Sequence, residues 1–416
     1  MRFDQHFLAG AVTLAVATLA SGQAAADCGI QAESATVSVI GNEFPAIQAV
    51  FAKASECATG SVTVSGNLTK EHKEIQTAAL TANPSEYSAA IVANSTLVTL
   101  MNDGLVRPLN ELVEQYGQDI PDRQKIVIDG DVMAIAFMAN AQHLMYRKDI
   151  LEQAGLEVPT SYEQVLEAAK AIKEQGLMEY PLTGTFQAGW NLAEEFVNMH
   201  IGFGGDMFQP GTAEPNLDTE EAVASLEMLK ALSEYMNPDY LTFDSTAAVA
   251  EFESGKAAIM NMWGSRAGSV IDEQGAAEGV VENIGFAAAP TVGGGTTPAT
   301  TLWWDGFTIA KNTSDADAAA SFQALATGVT SEVANANPEA AVWLAPDYEP
   351  VGTAEGVLAT AQAGAKPYPM LPYIGLMHTA LGNELVEYLQ GSEDAQAALA
   401  DVKAAYVAAA REGGFL

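Results

Sequence analysis

Positive charge is what this chain has least of. Its 18 Lys and Arg residues stand against 53 Asp and Glu, a formal net charge of −35. A surface of that sign repels nucleic acid and anionic lipid, and no basic stripe interrupts it, so DNA and RNA binding are excluded. Metal-ligating side chains are also scarce. There are five histidines, and His72, His143 and His200 are scattered without ligand spacing, which leaves them as surface or core residues. The many carboxylates form no EF-hand pattern or D-x-D-x-D run, so neither a metal nor a cofactor is expected, and the acidity reads as solubility in a salty medium. G-x-S-x-G, H-E-x-x-H and G-x-x-x-x-G-K-[ST] are all missing, which removes the usual nucleophile, zinc and phosphate-loop signatures. Beyond the first 26 residues no apolar run is long enough to cross a bilayer.

What is present starts with an export signal. Arg2 opens a short polar start, FLAGAVTLAVATLA (7–20) is apolar but short, and SGQAAA (21–26) ends in small residues, so cleavage is expected after Ala26. Asp27 ahead of Cys28 does not suit a lipoprotein signal. The mature chain is therefore expected outside the cytoplasm. In an oxidising compartment the only two cysteines, Cys28 and Cys57, read as one disulfide pinning the first strand to the end of the first helix.

Three times in succession a strand runs through a loop into a helix. TVSVI (36–40) leads through Asn42, Glu43, Phe44 and Pro45 into an amphipathic segment. SVTVS (61–65) leads through a polar loop ending at Lys73 into a helix, and YSAAIVA (87–93) leads into a helix opened by Asn94 and Ser95. This repeat predicts an α/β domain with a parallel sheet. Ligand sites in such sheets form where strands end and helices begin, which points to Asn42–Phe44, Leu68–Lys70 and Asn94–Ser95. A second block opens with strands at 132–138 and 144–147. Capping boxes are expected at Thr160–Glu163 and Asp218–Glu221, and a last helix carries Leu399, Val402 and Tyr406. Gly293–Pro298 reads as a flexible crossover between domains.

Several segments in this order resemble the extracellular solute-binding proteins of ABC importers, the family of maltose-binding protein. They are MYRKDILEQAGLEVPTSYEQVLEAAKAIKEQG (145–176), NMHIGFGGDMF (198–208), FESGKAAIMNMW (252–263), GFTIAKNTSDADAAASFQALATG (306–328) and KPYPMLPYIGLMHTAL (366–381). The resemblance implies an α/β, two-lobed periplasmic binding protein fold that closes on its ligand about hinge crossovers. It implies lobe one at 27–139 plus 299–337 and lobe two at 140–298 plus 338–416. It further implies a periplasmic monomer, with no enzyme activity, that hands a solute to membrane permease subunits.

Sugars present C–H faces and a rim of hydroxyls, so recognition wants aromatic rings for the faces and polar side chains for the rim. Trp263 matches the loop where this family often places a stacking aromatic. Phe186 and Trp190 follow the strand end YPLT (180–183), and Trp303, Trp304 and Asp305 lie just past the glycine-rich crossover, where a strand turns only one of the two indoles toward a cleft. Trp343 suits cleft or crossover. Arg266 shares the Trp263 loop and could clamp an acidic group, and Tyr373 and His378 map to the entrance of the C-terminal helix, where relatives supply a contact. The expected ligand is a sugar, oligosaccharide or polyol. A charged solute (a sulfonated or phosphorylated sugar, or a polyamine) and a secreted glycoside hydrolase using two carboxylates remain the alternatives.

Overall fold

The computed structural model describes residues 28–416; the expected export signal and its cleavage point lie outside the described residues. Two sheets organise the chain. The first contains β1 (Ala35–Gly41), β2 (Val62–Leu68), β3 (Ala89–Ala93), β4 (Lys125–Ile128), β5 (Asp131–Asn140), β10 (Thr301–Ile309), β11 (Val342–Trp343) and β12 (Lys366–Pro367). Its order is β11-β5-β10-β3-β1-β2, with β4 on β5 and β12 on β10. The second contains β6 (Gln142–Arg147), β7 (Leu182–Gly184), β8 (Ile259–Trp263) and β9 (Ile284–Ala287), ordered β7-β8-β6-β9.

The three expected strand–helix units form a parallel ladder, with Val37 opposite Val64 and Val39 opposite Ala89. The sheet as a whole is mixed rather than parallel, because β10 runs antiparallel to both β3 and β5. That direction follows from connectivity: β10 re-enters lobe one from the second lobe, from the opposite end to β1–β3. Both faces are covered, so β3 reads as the continuous apolar run AAIVA rather than an alternating one.

The lobes are joined by short links. β5 ends at Asn140 and β6 begins at Gln142, so Ala141 alone separates the two sheets. Asn140 fixes this point, its amide oxygen accepting from the Ala141 and Ser265 N–H groups, each at 3.1 Å. The glycine-rich stretch expected to be flexible is tied to lobe two, where Gly293 N–H donates to Glu163 Oε1 at 2.8 Å. β11 pairs with Met138 and Ala139, and Trp343 packs against Phe137 with its ring centroid 6.2 Å away. Val342 and Trp343 thus belong to the first sheet, and Trp343 is buried in the core beneath it.

Local signals are shifted by one residue at two helices. Helix Tyr162–Glu174 is capped by Ser161, which accepts from Gln164 N–H at 3.3 Å, while the Thr160 hydroxyl donates to Gln164 Oε1. Thr219 rather than Asp218 caps helix Glu220–Ser233. The Cys28–Cys57 disulfide is present, with Cα atoms 5.6 Å apart. His72, His143 and His200 are all buried, and burial holds His72 and His143 down at about 4, so both are neutral.

Candidate ligand-binding cleft

The site grows from a close approach of two helices. Helix Trp190–Gly202 starts after Gly189, which holds φ +95° and donates its N–H to Gly382 O at 3.1 Å. A methyl group on Gly382 would collide with the Gly189 carbonyl, so a side chain at residue 382 would push helix Ile374–Leu389 away. This contact sets the His378 ring on Trp190, with centroids 4.8 Å apart. His378 Nε2 lies 2.9 Å from the Trp190 carbonyl, which can only accept. Nε2 therefore carries the proton, and Nδ1 accepts from the Tyr368 hydroxyl at 2.9 Å. Burial, then the charge of Lys73, pushes His378 down to about 3, so it stays neutral.

Around this point three indoles converge from three elements. Trp190 lies 6.3 Å from Trp263 at the end of β8 and 5.7 Å from Trp303 on β10. Trp263 and Trp303 meet edge to face at 5.8 Å, and Tyr368 backs Trp303 at 4.1 Å. Trp263 and Trp190 are half-buried, whereas Trp303 is buried and its Nε1–H reaches Thr301 Oγ1 at 2.8 Å and Glu194 Oε1 at 3.1 Å. Of the two adjacent indoles on β10 it is thus Trp303 that faces the cluster. Trp304 turns to the lobe-one cluster containing Ile40, Val92 and Leu97.

Charge enters from both lobes. Lys73, second residue of the lobe-one helix His72–Thr81, holds its ammonium 3.4 Å from the Trp190 ring centroid. Burial pulls it down to about 7, against the attraction of Glu194 and Asp305. Burial pushes Glu194 up to about 8, opposed by hydrogen bonds from Thr301 and Trp303, and pushes Asp305 up to about 7, opposed by Lys73. Glu194 Oε2 is buried with no hydrogen-bond partner among the described residues. Its neighbour Glu195 points to the second sheet instead, where Gln142 donates to it at 2.8 Å and Thr185 also bonds it.

At the rim, Lys70 of lobe one reaches Asp244 Oδ2 at 3.3 Å and Thr246 Oγ1 at 2.8 Å in lobe two. Asp244 also caps helix Ser245–Glu253. Arg266 is held down by burial, opposed by the charges of Asp244 and of Glu43 in lobe one.

The other expected site residues divide. Asn94 is buried and structural, its Oδ1 accepting from Trp304 N–H at 2.9 Å. Ser95 presents a buried, unpartnered hydroxyl, and Asn42 Oδ1 caps the N–H of Glu43 at 2.8 Å. Three aromatics expected at the ligand turn into cores or away from the cluster. Phe44 lies in the lobe-one core, Phe186 packs on Tyr240 in lobe two, and Tyr373 packs between Phe208 and Phe415 with its hydroxyl on Thr212 O.

A family model described as bacterial extracellular solute-binding protein matches residues 44–330. The chain belongs to this family. Among solved structures, a solute-binding protein of Agrobacterium radiobacter K84 in complex with ribitol superposes with a TM-score of 0.78 at 22% identity, covering 89% of this chain and 98% of that one. One from Agrobacterium vitis S4 with bound D-mannitol gives 0.75 at 19% identity, covering 92% and 100%. These likenesses establish the two-lobed fold. A mannitol-binding protein of Pseudomonas aeruginosa is 27% identical over 195 residues, 45% of this chain and 44% of that protein, so the match spans less than half of the curated relative. Family membership makes the molecule a solute-binding protein and not an enzyme, which sets aside the glycoside hydrolase alternative.

Trp190, Trp263, Trp303 and His378, expected at the site from the sequence, come together here, with Asp305 within electrostatic reach of Lys73. Sequence reasoning did not single out Lys73, Glu194 and Tyr368, which stand beside them. A Glu194–Glu195 pair inside the otherwise apolar helix WNLAEEFVNMHIG was the signal available for the second.

Proposed function

We propose that this solute-binding protein captures a neutral sugar or polyol in the cleft and delivers it to the permease of an ABC importer, acting as a periplasmic monomer. The observation that carries the reading is the wall of Trp190, Trp263 and Trp303 beside the carboxylates of Glu194 and Asp305. Indole faces suit sugar or polyol C–H groups, and carboxyls suit hydroxyls. One lysine against two acids gives the wall no excess of positive charge for a phosphorylated or sulfonated ligand, and Lys73 already holds the place that a polyamine would seek. The ribitol, D-mannitol and mannitol named for the similar proteins favour the polyol end of the class.

The lobes would close by population shift. A ligand touching Trp263 of lobe two and Asp305 or Lys73 of lobe one binds the closed form better and draws the equilibrium toward it. Closed and open forms offer the permease different surfaces, which signals occupancy. The lobe-one range is read as 28–140 with 301–343 and the short strand 366–367, and lobe two as the remainder.

A thermal-shift screen of monosaccharides, disaccharides, polyols, sugar phosphates and polyamines tests the class. A ligand at about 100 times its dissociation constant adds roughly 2.7 kcal/mol of stability. The expected hits are neutral polyols or sugars, and hits confined to charged compounds would overturn the reading. With the hit in hand, Trp263→Ala is expected to weaken binding by about 2–4 kcal/mol in calorimetry with the fold intact.

A further inference from the structure

Three ionisable side chains gather at the aromatic wall without hydrogen-bonding one another. Lys73 has three N–H donors, and among the described residues its contacts are the Trp190 ring face and longer-range attraction to Glu194 and Asp305. Glu194 is fully buried, and its Oε2 is unpartnered although Oε1 is held by Thr301 at 2.8 Å and Trp303 at 3.1 Å. Among the described residues nothing donates a hydrogen bond to the Asp305 carboxyl. Here donors and acceptors remain apart and unused on either side of the cleft.

We infer that Lys73 of lobe one and Glu194 of lobe two form a donor–acceptor pair that reads a ligand hydroxyl across the cleft, making Lys73 the contact that couples occupancy to closure. This rests on the sugar or polyol reading above and adds its specificity determinants. A hydroxyl is the group that fits, since it accepts from the lysine while exchanging a hydrogen bond with the Glu194 carboxyl, whether that group is protonated or ionised. A ligand ammonium donates only and meets Lys73 as a like charge. A ligand carboxylate or phosphate accepts only, and it meets Glu194 and Asp305 as like charges once these ionise. The indoles divide the work accordingly: Trp190 holds the lysine, and the half-buried Trp263 keeps a face for the ligand. Because helix His72–Thr81 belongs to lobe one and helix Trp190–Gly202 to lobe two, the pair is assembled by bringing the lobes together.

The test is calorimetric titration with ribitol, D-mannitol and maltose of the mature wild type, Lys73→Met, Glu194→Gln and the surface control Lys170→Met. Small-angle scattering is recorded with and without saturating ligand. The expected result is a probe that binds wild type and Lys170→Met alike, and at least 10-fold more weakly to Lys73→Met and Glu194→Gln. Ligand-induced contraction is expected in wild type and lost in Lys73→Met. If wild type binds a probe and Lys73→Met binds it within twofold and still contracts, the inference is overturned while the polyol reading stands. If wild type binds none of the three, both fall. Melting curves establish folding, and should Lys73→Met melt early, Lys73→Gln is judged by the same thresholds.

Discussion

Glu194 and Asp305 keep their protons at a pH where free carboxylic acids have long lost them. Burial raises the first to about 8 and the second to about 7. The folded protein therefore holds protons that the unfolded chain releases, and this contribution to stability is complete below the ordinary carboxylate range and lost as pH rises through 7 to 8. Lys73 acts in the opposite sense above about 7, where the folded form gives up a proton that the unfolded chain keeps up to its ordinary value of 10.5. The ligand-free protein should accordingly melt lower at pH 8 than at pH 5, and Glu194→Gln should flatten that slope in scanning calorimetry. A slope unchanged by the variant would place the proton elsewhere. These residues also show what sequence can hold. Trp263 and His378 were legible because a motif placed them. Lys73 read as the end of a polar loop and Glu194 was not singled out, since their burial is decided by Trp190, Thr301 and Trp303 arriving from other elements. Phe44, Phe186 and Tyr373 sat at suitable loop ends, but whether a ring turns to the cleft or to the core is settled by packing that no spacing encodes.

Element starts carry much of the architecture. Three repeated strand–helix units were readable from alternation and loop chemistry, and all three formed a parallel ladder. The antiparallel entry of β10 was not, because strand direction depends on which lobe the chain returns from. The two capping sites were found to within one residue; Ser161 and Thr160 carry equivalent hydroxyls, and only backbone geometry chooses between them. Asp244 combines a cap with a contact across the rim, accepting from Thr246 N–H at 3.0 Å and Ala247 N–H at 2.8 Å while facing Lys70. Removing the cap costs about 1 kcal/mol, whereas an exposed ion pair contributes little. Asp244→Ala is thus expected to lose about 1 kcal/mol in urea unfolding and Asp244→Asn only a few tenths. Equal losses would assign the stability to the ion pair.

At the scale of the whole molecule, a net charge of −35 is spread over two lobes that share few links. The disulfide acts on the chain rather than on any one contact: Cys28 and Cys57 are 29 residues apart, and closing that loop limits the unfolded ensemble. In the chain-entropy model this contributes roughly 3–4 kcal/mol, so a Cys28→Ser, Cys57→Ser double variant should unfold at correspondingly lower denaturant with binding retained at low temperature. The concentration of indoles has a different consequence. Three of the five tryptophans stand at the cleft, while Trp304 and Trp343 rest against lobe one. If the solute binds in this cleft as proposed, three of the five emitting indoles stand beside it, and the Lys73 ammonium lies over one of them. On that reading the cleft is its own optical gauge, and adding the solute is expected to change the colour or intensity of the light the molecule already emits, without a dye attached.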